Sequence, residues 1–271
     1  MGSKWCALVL TAALAWASAS MASADELVRM HSASAGDLSR APSSAGRRDL
    51  RAYLTKPPGR GPFPAVVLLH SCLGLPANRR AMEERLAGWG YVALFVDDFA
   101  TRGLKETCAI DFPQGAADAY GALLYLSKLA YVDRGRIAVV GFSQGADTAL
   151  GIASTRFAAG FALPEDLSFR AAAAFYPPCA NEAGSELRIS TLILVGAADT
   201  VTPAKDCEAL AAKQPGGRVK LIIYAGAAHL FDDPGFAIGK QLLGMWLQYD
   251  QAAAEKSTSD LHAFLATELK R

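Results

Sequence analysis

Six short apolar runs, separated by stretches of helical periodicity, constrain the fold of this chain more than any other feature. Ala65–Leu69, Tyr91–Val96, Ile137–Val140, Ala171–Tyr176, Thr191–Val195 and Val219–Tyr224 carry few polar residues. Strands of this kind are buried on both faces, as they are in parallel sheets whose crossovers are helices. Asn78–Gly88, Ala116–Ala130, Gln144–Ser154 and Pro203–Lys213 fit that crossover role. The pattern predicts an α/β domain with a mostly parallel central sheet, helices on both faces and right-handed crossovers. Leu50–Leu54 alternates apolar and polar residues, as an edge or half-buried strand does. The tail, Ala237–Arg271, reads as one or two amphipathic helices broken near Ser257-Thr258-Ser259. There is no internal repeat, second domain or large cap insertion, so residues 49–271 are read as one domain.

The N-terminus reads differently. Lys4 precedes an apolar run from Trp5 to Trp16, too short to span a bilayer, and Ala22-Ser23-Ala24 gives an A-x-A cleavage site. Residues 1–24 are therefore expected to be a secretory signal peptide, with a periplasmic or secreted product and no stable membrane insertion after its removal. Residues 25–48, rich in Ser, Ala and Gly towards their end, are expected to be a flexible lead-in. The segment 1–24 contains one Lys and no acid or Arg, so the formal net charge falls from +1 to 0 in the exported chain. No basic patch suggests nucleic acid as a partner. Export leaves Cys72, Cys108, Cys179 and Cys207, which allow three pairings. Cys72 and Cys108 lie in loops after strands, Cys179 follows the run ending at Tyr176 and Cys207 lies on the helix after Asp199; the expected pairs are Cys72–Cys108 and Cys179–Cys207. Each would brace loops at the strand ends; four buried free thiols are the alternative.

In open α/β sheets, ligands sit at the carboxyl ends of the strands. Gly141-Phe142-Ser143-Gln144-Gly145 stands at such an end, between the run Ile137–Val140 and the helix beginning at Gln144. A G-x-S-x-G turn between strand and helix is the nucleophile elbow of the α/β-hydrolase fold. Its glycines let backbones approach closely, its serine hydroxyl is exposed, and the N–H after the serine faces a developing oxyanion. The alternative is a Gly-rich turn in which Ser143 only caps the helix.

A serine hydroxyl needs a base. In this fold the partners follow in the order Ser, acid, His, which excludes His31 and His70. His229 follows the run Val219–Tyr224 across a loop of small residues, whereas His262 lies within the tail helix as a surface or packing residue. Asp199, just beyond Thr191–Val195, is the expected acid; Asp206 and Asp98 are the alternatives. The second oxyanion donor is expected in His70-Ser71-Cys72-Leu73, from the N–H of Cys72 with Leu73 as alternative, and His70 is read as a structural residue holding that loop. The histidines and cysteines lack ligand spacing, so no metal is expected, and there is no Gly-rich phosphate loop.

The stretches around His70–Gly74, Val96–Arg102, Gly141–Gly145, Gly196–Asp199 and Gly226–His229 resemble the dienelactone hydrolase family across residues 50–250. The resemblance implies a compact, cofactor-free hydrolase acting on ester or lactone bonds of small molecules, with Ser143, Asp199 and His229 as its triad. It also marks departures. Founding members carry a cysteine nucleophile, a glutamate where Ser71 stands, and an arginine after the histidine that binds the substrate carboxylate; here Leu230-Phe231-Asp232-Asp233 follow His229. An anionic dienelactone is thus a poor expectation. Ser71, Leu73, Arg102 and Phe231 are the candidate substrate contacts, with Arg102 the nearest anion binder. Two other readings remain open: a non-catalytic exported binding protein on this fold, and an acyltransferase or peptidase with the same triad.

Overall fold

In a computed structural model, the structure describes residues 25–33, 49–110, 112, 115–154, 156–157, 161 and 163–270. The expected signal peptide and most of the expected lead-in lie outside these residues.

Eight strands form one sheet. In chain order they are β1 (Glu26–His31), β2 (Asp49–Thr55), β3 (Phe63–Leu69), β4 (Val92–Asp97), β5 (Val132–Phe142), β6 (Ala171–Phe175), β7 (Ser190–Gly196) and β8 (Val219–Tyr224). Their spatial order is β1-β2-β4-β3-β5-β6-β7-β8. β2 is antiparallel to both its neighbours and every later pairing is parallel, so β2 alone runs against the rest. This mostly parallel sheet flanked by helices, with no cap domain among the described residues, is the α/β-hydrolase arrangement.

The pleat explains why the central runs are continuously apolar. Ala65, Val67 and Leu69 of β3 pack into the core on one face, and Val66 and Leu68 into the core on the other. The first core is covered by helices α2 (Gly115–Leu126), α3 (Gln144–Ala153) and α4 (Ala204–Ala211), through residues such as Leu123, Leu150 and Leu210. The second is covered by α1 (Arg79–Gly88) and α5 (Gln251–Glu268), through Leu86, Leu261 and Leu265. Fully burying each such side chain contributes about 1.5–3 kcal/mol.

Three expectations need correction. Glu26–His31, placed in the flexible lead-in, forms strand β1, whose Val28 and Met30 enter the core. β2 is consequently an interior strand and, of the two expected alternatives, the half-buried one. In the tail, a hairpin of β9 (Lys240–Leu242) and β10 (Met245–Leu247) replaces the first helical stretch. Its turn residues Leu243 and Gly244 both have positive φ, the requirement of a tight type I′ connection. The helix that follows does not break at Ser257. Asp250 caps it by accepting from the Ala253 N–H, and the Ser257 hydroxyl bonds back to the Ala254 carbonyl within an unbroken α5.

Candidate active site

Ser143 occupies the sharp turn from β5 into α3, with φ 52° and ψ −111°. A side chain pays a steric cost there, so the packing around the turn must hold it. The two flanking glycines show how tight that packing is. A Cβ on Gly141 would stand 2.0 Å from the Gly145 carbonyl oxygen, and one on Gly145 would stand 2.4 Å from that of Leu69. Ser143 occupies the helix N-cap position but makes no capping hydrogen bond with its side chain. Its hydroxyl is turned instead to His229, with Oγ 2.9 Å from Nε2.

His229 and Asp199 meet because the loops after β7 and β8 pack backbone to backbone. Ala197 N–H donates to the Tyr224 carbonyl at 2.8 Å, and Ala198 N–H to the Ala227 carbonyl at 2.9 Å. Gly196 is required at this crossing, since a Cβ there would lie 2.1 Å from the Ala227 oxygen. His229 Nδ1 then lies 2.7 Å from Asp199 Oδ2. The Asp199 side chain is fully buried and well supplied with donors. Its Oδ1 accepts from the N–H groups of Val201 and Thr202, each at 2.8 Å, and the Thr202 hydroxyl lies 2.9 Å from Oδ2. These bonds satisfy both oxygens of a buried carboxylate and fix its orientation.

The loop after β3 closes the other side. Ser71, Cys72 and Leu73 line a small space with Ser143, His229, Leu230, Met245 and Leu247. Leu73 N–H is engaged by Ser71 Oγ at 3.2 Å, which leaves Cys72 as the better oxyanion candidate of the two. A clasp ties this loop to the elbow. Cys72 is bridged to Cys108, the Thr107 N–H donates to the Cys72 carbonyl at 2.9 Å, and the Thr107 hydroxyl donates to Gln144 Oε1 at 2.7 Å. On the acid side, the second bridge joins Cys179 to Cys207. The hairpin β9–β10 lies over the site and is pinned to it by a bridge between Leu247 and His229, with Gln248 N–H donating to the His229 carbonyl at 3.1 Å.

His70 is buried beneath the oxyanion loop. Its Nδ1 lies 2.7 Å from the Ser71 carbonyl, and its Nε2 accepts the Asp98 N–H at 3.3 Å. Burial holds its pKa below the usual histidine value. Asp98, an alternative acid, belongs to this group and is 3.9 Å from His70 Nε2. Burial and the nearby Asp118 push its carboxyl well above the usual range. Asp206, the other alternative, sits half-buried on α4. His262 stacks on Trp89 with ring centroids 4.2 Å apart, a packing role as expected.

Two of the expected substrate contacts are placed elsewhere. The Arg102 guanidinium is bound to Asp118 at 2.7 and 2.9 Å and to the Asp98 carbonyl at 2.6 Å, so it is already committed. Phe231 is fully buried and packs edge-on against Tyr176 in the core. Two contributors escaped the sequence reading. Thr202 supports Asp199, and its signal was present, since Asp followed three residues later by Thr is a turn in which the carboxylate takes nearby N–H groups. Tyr176, with φ 42°, lies 4.7 Å from the His229 ring and donates its hydroxyl to Asp232 Oδ1 at 2.7 Å. Burial and Asp232 raise the phenol well above its usual pKa, and burial raises Asp232 to about 6. Nothing in the local sequence marks this pair.

A sequence model of the dienelactone hydrolase family matches residues 50–269. No curated protein matches the sequence. Among solved structures, a dienelactone hydrolase-type protein of Klebsiella pneumoniae is 19% identical with a TM-score of 0.64, over 89% of this chain and 99% of the other. A dienelactone hydrolase-like promiscuous phosphotriesterase from metagenomic libraries is 20% identical with a TM-score of 0.64, over 90% and 99%. Esterase 2 of Thermogutta terrifontis, phosphoramylated by tabun, is 22% identical with a TM-score of 0.59, over 82% and 90%. At these identities the likeness to solved structures is one of fold. With strand order and helix placement agreeing with a family match that spans most of the chain, the protein belongs to the dienelactone hydrolase family.

Proposed function

We propose that this protein is a serine hydrolase of carboxylic esters or lactones, in which Ser143, His229 and Asp199 act as a catalytic triad. The observation that carries this reading is the hydrogen-bonded line Ser143 Oγ to His229 Nε2 at 2.9 Å and His229 Nδ1 to Asp199 Oδ2 at 2.7 Å. A carboxylate at Nδ1 fixes the proton there, leaving the Nε2 lone pair facing the hydroxyl. Ser143 Oγ attacks the carbonyl carbon while His229 takes its proton. The oxyanion that forms is held by the N–H groups of Gln144 and Cys72. His229 returns the proton to the departing alkoxide, leaving an acyl-serine. Water then attacks the acyl carbon, again losing a proton to His229, and Ser143 recovers its hydrogen as the acid leaves.

Ser143→Ala tests the reading. Hydrolysis of p-nitrophenyl acetate is expected to fall by about 10³-fold or more, with an unchanged circular dichroism spectrum. A fluorophosphonate is expected to label the native protein at Ser143. Full activity in the variant, or a label elsewhere, would overturn it. The relative phosphoramylated by tabun is an esterase, which makes an organophosphorus label a natural probe.

Export belongs to the same reading. Two disulfides fit an oxidising compartment, and no helix among the described residues is long and apolar enough to cross a membrane. Cleavage after Ala24, leaving Asp25 as the first residue of the exported chain, is the proposed processing step, and N-terminal sequencing of the exported product tests it.

A further inference from the structure

The narrow crevice at Ser143 shares walls with larger spaces. Ser71, Leu73 and Leu230, which wall it, also line an adjoining cavity of about 300 Å³. That cavity shares Met82, Phe142 and Asp232 with a second cavity of about 410 Å³, which runs between α1 and α5 over the sheet. Phe142 is the residue immediately before the nucleophile, so the shared wall begins one residue from the reacting oxygen. Further in, the walls are Leu68, Leu86, Trp89, Phe175 and Leu261. Volumes of this order, about 300–1,000 Å³, are those of small-molecule sites.

Polar groups at the junction define what can lie there. Asp232 lines both cavities where they meet, with Tyr176 donating to its Oδ1, and Asp233 lines the nearer one. The cations at the cavity walls, Arg85 and Lys240, are exposed. At the junction an arm ending in a carboxylate would therefore meet Asp232 and Asp233, with Arg85 and Lys240 only at the exposed walls, whereas an uncharged arm meets apolar walls and a hydrogen-bond acceptor. Burial holds Asp232 at about 6, so near neutral pH it carries charge that opposes a second anion.

We infer that these two cavities, which share walls, hold an extended, uncharged apolar arm of the ester substrate, an alkyl or aryl chain that passes Phe142 and Met82 and lies between α1 and α5. The inference rests on the proposed hydrolase reading and adds the class of substrate. Transfer of each methylene from water to such a wall favours binding by up to about fourfold.

The test uses two ester series on the full-length exported protein: p-nitrophenyl acylates from acetate to laurate, and alkyl acetates of matching length. One series is expected to gain at least tenfold in kcat/KM between the two-carbon and eight-carbon members, chiefly through KM, and the series that responds identifies whether the arm is acyl or alkoxy. Met82→Trp is expected to move the optimum to shorter chains and to lower the eight-carbon to two-carbon ratio about tenfold. Met82→Ala moves the optimum the other way, which keeps the test valid should the bulky variant fail to fold. An acylate of equal length ending in a carboxylate is expected to react at least tenfold more slowly, and Asp232→Asn to narrow that gap. Flat profiles in both series, with Ser143 still labelled by a fluorophosphonate, overturn the pocket while leaving the hydrolase reading standing. Absence of labelling overturns the hydrolase reading itself.

Discussion

His70 and His229 stand at the carboxyl ends of β3 and β8, both buried and both beside an aspartate. Their partners give them the same tautomer, with the proton on Nδ1 and the lone pair on Nε2. What differs is the group at each end. At His229 the lone pair faces a serine hydroxyl, whose proton it takes in the proposed mechanism, and Nδ1 faces a carboxylate, the countercharge which that mechanism needs. At His70 the lone pair faces a backbone amide, which does not release its proton, and Nδ1 faces a carbonyl, which offers no countercharge. Burial then keeps His70 neutral. The two rings share a proton placement and differ in what they face.

The sharpest way to break this comparison is to remove each ring. His229→Gln is expected to lower kcat for p-nitrophenyl acetate by about 10²–10⁴-fold, the usual range for loss of a general base. His70→Gln is expected to cost less than tenfold, with a lower urea midpoint, because it disturbs a loop rather than a proton transfer. Equal losses in kcat would erase the distinction.

The aspartates extend the contrast. Asp199→Asn removes the countercharge and is expected to lower kcat by about 10³-fold or more. Asp98→Asn, made to a carboxyl already pushed towards its neutral form, is expected to change kcat by less than tenfold. Steady-state kinetics on the two variants decides between them.

The smallest effect is one of pH. His70 binds its proton more weakly in the folded chain than in the unfolded one, whose value is about 6.5. Between those two values the unfolded chain holds more protons, so its contribution to stability is present above about 6.5 and is lost as the pH falls below it. The slope for this one proton is at most about 1.4 kcal/mol per pH unit. Urea denaturation of the native protein and of His70→Gln at pH 7.5 and 5.5 measures it; the variant is expected to lose less stability on acidification.

The residues that meet at the rim were legible in the sequence because strand ends are legible. Continuous apolar runs locate the buried strands, and polar residues just beyond them are candidates for the rim; Ser143, Asp199 and His229 each follow such a run. The hairpin over the site was not legible. Its turn places Leu243 at positive φ, a conformation its side chain disfavours, so no Asn-Gly or Asp-Gly signal announced it. Arg102 was misread for a related reason. Sequence shows a cation near a strand end but not Asp118, sixteen residues away on another element, which claims it. Strand β1 was obscured because only half of its residues are apolar, its buried Val28 and Met30 alternating with exposed positions.

At position 196 two backbones cross with room for hydrogen and none for a methyl. The residue has no functional group, yet it acts as the hinge-pin of the acid and the base: enlarging it wedges apart the two loops that carry them. A survey of harmful changes in this chain would therefore find an inert glycine ranked alongside the reactive side chains, for want of space alone.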